Sequence, residues 1–486
     1  MSEEKLQRAG QFVLDVCILH TSGEAVFDLK GGANVMKIDF HEDIMTPYVQ
    51  GTIVIQNQGS ASNIGPIIGQ ETLELKIRTP TLEKPHEILD YTGNNRLYIT
   101  RVNNKRRLGG GTEIISLEFF SGEWVRNSQT KVSSSMTGSV SSIVDNMLNK
   151  VHCLKVRYIE PSAETKNYIA PNIRPFDVVN HLMPQATSGS GGRNPENSYL
   201  FWENKQGYHF RSLASIYRGS TDYSFKGTPV HKYISKIGSG DGVVNGQVDV
   251  FQQLHVVKDF NTTHSDNFTN HVTGALGSNM ITHDMYNKTY SSTTFNYLNK
   301  YDSFSHTNSE NRIKSNPIHS ESIDFNNKRI SDHVSKSFLY PEYKTRTGRD
   351  AGMTDSHGRY TFTPYRPDTW FQKRRGHLGI LFNGITVEMY VHGNTFLNAG
   401  DLIDFTLPYF GIEDASRSKK TDKFINGNML VTKITHSFDV SEFEHEMKLI
   451  CVTDDLDEEL DHSVEQSTEG EMSPKHTEVY DDFYDN

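Results

Sequence analysis

The chain has 486 residues, 35% of them hydrophobic, a mass of 55.1 kDa and a formal net charge of −11 at pH 7. This length suggests about two to four domains, and the low apolar content argues against one large core. An aromatic content of 10% argues against global disorder, so we expect several small β-rich domains. No apolar run approaches the roughly 18–20 residues of a membrane helix, and the first 16 residues lack a signal-peptide stretch. We therefore expect a protein that is made in a cytosol and is not inserted into a membrane.

The negative charge is concentrated in the last part of the chain. Residues 453–486 contain 13 Asp and Glu residues and one Lys, a net charge of −12, so the rest of the chain carries −11 − (−12) = +1. A near-neutral body without a basic stripe is a poor binder of nucleic acid. The acidic segment is predicted to be disordered and solvated, or to dock on a basic partner.

Residues 11–125 are predicted to form strands. A short strand covers Phe12–Ile18, and strict alternation of apolar and polar residues covers Thr72–Arg78 and Glu113–Phe120. A period of two indicates a sheet with one buried face.

A basic stretch, residues 101–107, precedes three glycines within this first segment. A solvated hairpin loop is the favoured interpretation. The alternative is an arm that reaches a neighbouring subunit.

The next segment contains two predicted helices. Apolar residues recur at helical spacing over 138–152, and either Thr137 or Ser139 is the candidate N-cap. The second helix is predicted to begin near Pro175, a favoured first-turn residue, and to end at Pro184.

A hairpin at Tyr199–Phe210 completes this small α/β unit. Residues 245–365 are rich in Asn, Ser, Thr, His and Tyr without strong periodicity, which fits long loops, extended crossing strands or disorder. A helix over Asp368–Leu381 then leads into a second alternating β region that ends near residue 453.

The predicted fold class is mainly β with an inserted α/β unit: two tube-like antiparallel β-barrel domains and a small α/β domain. The predicted boundaries are 1–125 for the first barrel, 126–235 for the inserted domain, 236–455 for the second barrel with long polar loops at about 262–365, and 456–486 for the acidic tail.

Motifs for catalysis are not found. The chain contains no phosphate-binding loop ending in Lys-Ser/Thr and no G-x-S-x-G pentapeptide at a strand-to-helix junction. Residues 238–242 are glycine-rich but lack the dinucleotide-binding spacing, and a hairpin loop is the better interpretation. The acidic segment concentrates the carboxylates, but a flexible segment does not hold two of them in catalytic geometry. We therefore predict no catalytic residue, no cofactor and no enzyme activity.

Histidine and cysteine side chains are the usual ligands of zinc in proteins. His436 and His445 flank a predicted hairpin and could face each other, although satisfied strand histidines are the better interpretation. The triplet 41–43, His-Glu-Asp, is interpreted as a polar loop without a metal. The three cysteines are far apart in sequence, so they form neither a disulfide framework nor a four-ligand zinc site, and we predict buried thiols at Cys17, Cys153 and Cys451.

Turn residues recur in a fixed order across the second β region. A strand ends in Val-x-Gly, a turn leads to Gly-Asp, and an alternating strand ends at Pro; after a loop, Gly starts a strand that runs into a His, a hairpin and a final strand. These positions are Val391, Gly393, Gly400, Asp401, Pro408, Gly427, His436 and Asp454.

This order resembles the hub domain of contractile-tail baseplates, a family that includes the central hub proteins of T-even-type phages and the hub parts of VgrG-like spikes. The segment 172–177, with Pro175 and Asp177 at the start of a helix, and the hairpin at 201–210 also resemble that family. The resemblance spans roughly residues 10–455, while the polar region 302–360 and the acidic tail depart from it. The motif positions are interpreted as structural, because glycines and prolines there set turns and strand ends.

The resemblance implies a trimeric ring in the tail baseplate of a virion, assembled in the cytoplasm of the host bacterium. Two similar barrels per chain would give six barrels in the ring, matching a threefold central spike to a sixfold tail tube. The implied partners are other copies of the chain, the spike, the tube or its initiator proteins, and baseplate wedge proteins, with DNA passing through the channel without specific binding. The alternatives are a spike-associated peptidoglycan hydrolase and a receptor-binding adhesin. Four aromatic residues are interface candidates as well as core candidates: Trp370, Phe371, Tyr409 and Phe410.

Overall fold

The structure is a computed structural model. It describes residues 8–21, 26–30, 34–58, 67–80, 87–108, 111–163, 165–189, 196–218, 231–235, 243–244, 247–248, 253–263, 266–285, 287–308, 328–329, 332–343, 365–407 and 425–454. The predicted loop at 238–242 and the acidic tail lie outside these ranges.

The first β unit, residues 8–121, is an antiparallel sheet curved around its own core. Its strands are β1 Val13–His20, β2 Val26–Asp28, β3 Asn34–Asp43, β4 Gln50–Gln58, β5 Thr72–Arg78, β6 Leu89–Tyr91, β7 Leu97–Arg107 and β8 Thr112–Ser121. They pair in the order β2-β1-β5-β7-β8-β4-β3, and β6 pairs with β5. Leu73, Leu75 and Ile77 of β5 are fully buried, as the alternating pattern predicts.

The inserted unit, residues 122–218, packs two helices against a small sheet. Its elements are α1 Gly122–Gln129, β9 Ser135–Ser139, α2 Val140–Lys150, β10 Arg157–Ile159, β11 Thr165–Ile169, α3 Pro175–Leu182, β12 Tyr199–Asn204, β13 Gly207–Ser212 and α4 Leu213–Arg218. The β12–β13 hairpin is the predicted one, and β10 pairs with β13 in parallel.

The predicted helix boundaries are confirmed within a few residues. Ser139 is the N-cap of α2, because its side chain accepts a hydrogen bond from the Ser142 amide at 3.2 Å. Pro175 is the first residue of α3, and Pro184 lies in a short 3₁₀ turn that follows the helix.

The second β unit, residues 231–454, contains a closed barrel. Its elements are β14 His231–Ser235, β15 Val243–Val244, β16 Gln247–Val248, β17 Val256–Thr263, α5 Asn267–Thr273, β18 Gly277–Asp284, β19 Thr289–Asn296, β20 Lys336–Glu342, α6 Phe371–Phe382, β21 Ile385–His392, β22 Leu402–Thr406, β23 Gly427–Asp439 and β24 Glu444–Thr453. Six strands close into a ring in the order β23-β22-β14-β17-β21-β24 and back to β23. The mainly β fold class with an inserted α/β unit is confirmed.

β14 differs from the sequence-based expectation in two respects. It pairs in parallel with both β17 and β22, whereas an antiparallel barrel was predicted. An alternating pattern does not report strand direction, so this difference was invisible in the sequence. β14 also belongs to the barrel, although it lies within residues 126–235.

The range predicted as long polar loops, about 262–365, contains a three-stranded sheet. β18 pairs with β19 antiparallel and with β20 in parallel. One face packs on α6, where Gln372 donates to the Ser278 carbonyl oxygen at 3.1 Å, and the other face is open. Leu339, on the open face, is 72% exposed. Strands rich in Ser, Thr and Asn lack the apolar alternation on which the prediction depended.

β23 belongs to both β units. Its first residues pair with β22, while Lys433–Asp439 pair with β3 of the first β unit. Its other edge pairs with β24 from Leu430 to Asp439. One hydrogen-bonded sheet therefore runs through both β units without interruption.

The predicted basic loop is instead the end of a strand. Residues 101–107 continue β7, and the paired carboxylates come from the neighbouring β8. Arg107 Nε lies 3.2 Å from Glu113 Oε1, and Arg101 Nη1 lies 3.6 Å from Glu118 Oε2. The side chain of Arg107 is 86% exposed, which agrees with the predicted solvent exposure of this basic stretch.

The candidate interface aromatics and the three cysteines differ in whether the structure describes them and in their burial. Trp370 is buried and Phe371 is half-buried against it, while Tyr409 and Phe410 lie outside the described residues. The three cysteines are buried and free, as predicted. Within the described residues, no helix is long and apolar enough to cross a membrane.

Candidate assembly site at the junction of the three units

Three of the ten predicted motif positions lie in one loop, residues 393–401, here called the junction loop. Gly393, Gly400 and Asp401 belong to it, and Gly427 and His436 lie in the adjacent β23. Of the other five, Val391 lies in β21 and Asp454 directly follows β24. Pro175 and Asp177 are in the first turn of α3, and Pro408 falls outside the described residues.

The backbone of the junction loop is bonded to the barrel at both ends. The Gly393 amide donates to the His445 carbonyl oxygen at 2.7 Å, and the Gly400 amide donates to the Val431 carbonyl oxygen at 2.9 Å. The Val431 amide donates in return to the Asp401 carbonyl oxygen at 2.9 Å. A Cβ on Gly393 would lie 2.1 Å from the ring of His445, so any other residue displaces this contact.

The loop also binds the first β unit. The Ala399 amide donates to Glu42 Oε2 at 3.0 Å, and Glu42 lies in β3. Thr79, directly after β5, exchanges hydrogen bonds with Thr395: each backbone amide donates to the other's hydroxyl oxygen at 3.0 Å. Both threonines are fully buried, so these bonds lie in the interior.

The hairpin of the inserted unit completes a three-way contact. Trp202 Nε1 donates to the Ala399 carbonyl oxygen at 3.1 Å. The Lys205 amide donates to Glu42 Oε1 at 2.8 Å, and Lys205 Nζ donates to the Leu397 carbonyl oxygen at 3.1 Å. One carboxylate, that of Glu42, thereby accepts hydrogen bonds from both the loop and the hairpin.

Gly400 allows the loop to approach the hairpin closely. Its φ is +97°, a conformation that favours glycine, and a Cβ there would lie 2.8 Å from Trp202 Cζ2. The approach of an indole ring to the loop backbone therefore favours glycine at this position.

Buried charge is concentrated at this junction. Burial raises the pKa of Glu42 to about 7, against the opposing effect of Lys205. Burial lowers the pKa of Lys205 to about 8, against the opposing effect of Glu42, although part of this residue remains accessible. Burial raises the pKa of Asp401 to about 6, while hydrogen bonds from Asn398 oppose the shift. Removal of either partner would leave a buried charge poorly compensated.

A second ionic cluster ties the inserted unit to the first β unit. Lys155 Nζ lies 2.8 Å from Glu123 Oε2 and also contacts Glu203, and all three side chains are buried. Glu203 Oε2 accepts hydrogen bonds from the Val49 amide at 3.3 Å and from the Tyr208 hydroxyl at 3.0 Å. Burial acts against the Lys155 ammonium, but the two carboxylates outweigh it and raise its pKa.

His436 and His445 face each other inside the barrel end. Their Nδ1 and Nε2 atoms lie 3.0 Å apart, and both residues are fully buried. One ring must therefore donate and the other accept, so the accepting ring is neutral. Burial lowers the pKa of each ring well below its usual value. The second ring nitrogen of each has no hydrogen-bond partner among the described residues. Within those residues no group of three or more His, Cys, Asp or Glu could hold a metal ion.

Sequence reasoning missed the residue at the centre of this site. The triplet 41–43 was interpreted as a polar loop, but it lies in β3, and Glu42 is fully buried. The missed signal is positional: Ile38, Phe40 and Ile44 point inward at a period of two, and Glu42 occupies the same face. A carboxylate on the apolar face of a strand indicates a buried partner.

No protein-family model and no curated protein sequence matches the chain. Phage tail proteins are among the solved structures similar to it. One is the 43 kDa tail protein of prophage MuSo2 from Shewanella oneidensis, with 10% identity, a TM-score of 0.46, and coverage of 90% of this chain and 98% of that chain.

A tail protein from Neisseria meningitidis has 10% identity, a TM-score of 0.48 and coverage of 91% and 97%. An Escherichia coli component of the type VI secretion system has 10% identity, a TM-score of 0.37 and coverage of 90% and 76%. At such TM-scores the likenesses decide nothing about function.

Proposed function

We propose that the chain is a structural, non-catalytic subunit of a phage tail, and specifically the central hub of a contractile-tail baseplate. The observation that carries the proposal is the shared strand β23, which joins two β units into one continuous sheet. A hub that presents two barrels per chain to a ring requires such a fixed pair. The ordered turn motifs, three of which lie in the junction loop, give independent support.

The proposed assembly is a ring of three copies that surrounds the DNA channel. Six β units in the ring would match a threefold central spike to a sixfold tail tube, and tube-initiator and wedge proteins would contact its faces. A body with a net charge near zero outside the acidic segment would let DNA pass without specific binding. The proposed location is the virion tail baseplate, after assembly in the host cytoplasm.

The junction groups support a structural rather than a catalytic role. Glu42 is fully buried and both of its oxygens accept backbone amide hydrogen bonds, so it is committed to holding two segments together. A general acid or base must instead reach a substrate proton within hydrogen-bond distance. The motif positions Gly393, Gly400 and Asp401 likewise contribute backbone contacts and turn geometry. We propose that all the predicted motif positions are structural.

Solution mass tests the assembly. Light scattering on the purified full chain at several concentrations should give a stable mass near three times 55.1 kDa. Electron-microscopy class averages of the same sample should show closed rings with six peripheral densities. A strict monomer at every concentration would contradict a self-assembling ring.

The alternative functions predict different results from the same sample. A peptidoglycan zymogram should stay blank, and a clearing band would favour a spike-associated hydrolase. Binding of the isolated chain to host cells or sugars, with a peripheral position on the particle, would favour an adhesin.

A further inference from the structure

A groove lies between the inserted unit and the second β unit, remote from the junction loop. The last turn of α3 forms one wall, and α6, the end of α5 and β20 form the other. Its volume is about 610 Å³, within the roughly 300–1,000 Å³ of ligand-binding clefts. Six lining residues give the groove its chemistry: Trp370, Phe371, Arg374, Arg375, Leu378 and Phe382.

The groove combines aromatic surface with two guanidinium groups, of which that of Arg374 also interacts with the nearby Glu196 carboxylate. Among its described lining residues two are arginines and none is Asp or Glu. Arg374 donates to the Tyr199 carbonyl oxygen at 2.6 Å, and Arg375 donates to the Thr273 carbonyl oxygen at 3.1 Å. A guanidinium has five N–H donors, so these contacts leave donors for a further acceptor. Such a surface fits an occupant with carboxylates between aromatic side chains.

The chain itself contains a segment of that composition. Residues 479–486 read Val-Tyr-Asp-Asp-Phe-Tyr-Asp-Asn, three carboxylates alternating with three aromatic residues, and no basic residue. We propose that residues 479–486 dock in this groove, either in the same chain or in a neighbouring copy. Aromatic side chains would bury against the aromatic floor, while Asp481, Asp482 and Asp485 would pair with the guanidinium groups.

The position of Asp454 makes this docking reachable. β24 leads to Asp454, whose Oδ2 lies 2.7 Å from His306 Nδ1, and the ring of His306 lies 6.3 Å from that of His377 in α6. The described chain therefore ends beside the helix that lines the groove. The 24 residues from 455 to 478 span at most about 80 Å when extended, whereas α6 is about 18 Å long.

This inference is independent of the proposed function. Docking of the segment would neither require nor exclude a ring. It assigns a role to the acidic segment, which the hub resemblance does not cover.

Photo-crosslinking of the full chain tests the docking. Phe483→p-benzoylphenylalanine places a reactive group inside the segment, and Val464→p-benzoylphenylalanine places it in the acidic tract outside the aromatic segment. After irradiation, mass spectrometry should map the crosslinks from position 483 to residues 370–383 of the groove, and those from position 464 should not concentrate there. Crosslinks from 483 that are spread like those from 464, or that fall on the basic stretch 101–107, would overturn the proposal.

A groove variant adds a second, independent readout. Asn180→Glu adds an exposed carboxylate to the groove wall near the end of α3. It should reduce the crosslinks to α6 about tenfold by repelling the three aspartates. The matched control is Asn149→Glu, the same change at an exposed position near the end of α2, and it should leave the yield unchanged. If circular dichroism shows that both variants are folded and their crosslink yields to α6 are equal, the docking proposal is wrong. The mass of the crosslinked product on a denaturing gel then tells whether the segment docks in its own chain or in a neighbour.

Discussion

Replacement of Lys205 by methionine tests the junction most directly. Lys205→Met keeps an unbranched side chain but removes the ammonium that donates to the Leu397 carbonyl oxygen and whose charge interacts with that of Glu42. Removal of one partner from a fully buried ion pair costs about 3–5 kcal/mol. Lys205 is partly accessible, so water compensates some of the loss, and we expect a decrease of about 2–3 kcal/mol in the free energy of unfolding, below that fully buried range.

Urea unfolding at pH 7.5, followed by circular dichroism, measures this change. The control is Lys232→Met, because the Lys232 side chain is 57% exposed and its contact with Asp404 spans 3.6 Å. This surface change should alter the free energy of unfolding by at most about 0.5 kcal/mol. A Lys205→Met cost as small as that of the control would refute the view that the ammonium stabilises the junction.

A double-mutant cycle with Glu42→Gln isolates the pair. If the two charges interact, the combined variant should lose about 1–2 kcal/mol less than the sum of the single losses, whereas independent sites add within about 0.5 kcal/mol. The pH dependence of the Lys205→Met cost is a second test of the interaction between Lys205 and Glu42. The folded-state pKa of Glu42 is raised to about 7, so as pH falls below 7 the folded chain binds a proton that the unfolded chain does not yet bind. Neutral Glu42 needs no cation, and the cost of Lys205→Met should therefore shrink towards pH 5.

Two further predictions concern the same region. Gly400→Ala should cost about 2 kcal/mol more than Gly93→Ala, since both glycines have positive φ but only Gly400 would bring its Cβ against Trp202; thermal or urea unfolding of both variants measures the difference. His436 and His445 have folded-state pKa values held low by burial, so their contribution to stability is complete above the unfolded value of about 6.5 and is lost as pH falls below it, by up to about 1.4 kcal/mol per pH unit for each ring. His436→Gln should flatten the slope between pH 6.5 and 5 in urea titrations, and an unchanged slope would contradict this assignment.

The parts of the fold that sequence predicted are those in which one face of an element is buried. Leu73, Leu75 and Ile77 alternate because β5 has one apolar face, and Pro175 begins α3 because its fixed φ suits a first turn. Such local signals need no knowledge of the partner element.

The parts that sequence missed depend on the partner. β19 and β20 are recruited as strands by pairing with β18, although most of their residues are exposed or half-buried and β19 is rich in Ser and Thr. Lys205 lies in a hairpin turn, and its ammonium meets the carbonyl oxygen of a residue 192 positions away. Propensity and periodicity describe neighbours in sequence, so contacts of that separation leave no local trace.

The role of Glu42 lies between these two cases. The sequence predicts that Glu42 points inward, because it follows Ile38 and Phe40 at a period of two. The sequence does not identify the residues that bond to its carboxylate. A buried carboxylate requires a hydrogen-bond or ion-pair partner, but its position in the sequence does not tell which residue that partner is. The amides of Ala399 and Lys205 come from two separate units, and only the folded chain brings them together.

The shared strand β23 also determines how the chain would carry mechanical load. Hydrogen bonds in an antiparallel ladder lie perpendicular to the strands, so a pull along β23 shears the whole row of bonds to β3 and β24 at once instead of opening them one at a time. Tension applied to one β unit therefore passes to the other through the continuous strand β23, Gly427–Asp439, without a hinge. Under axial force the two β units would move together, and the segments that unfold first would lie outside β23 and its pairings with β3 and β24.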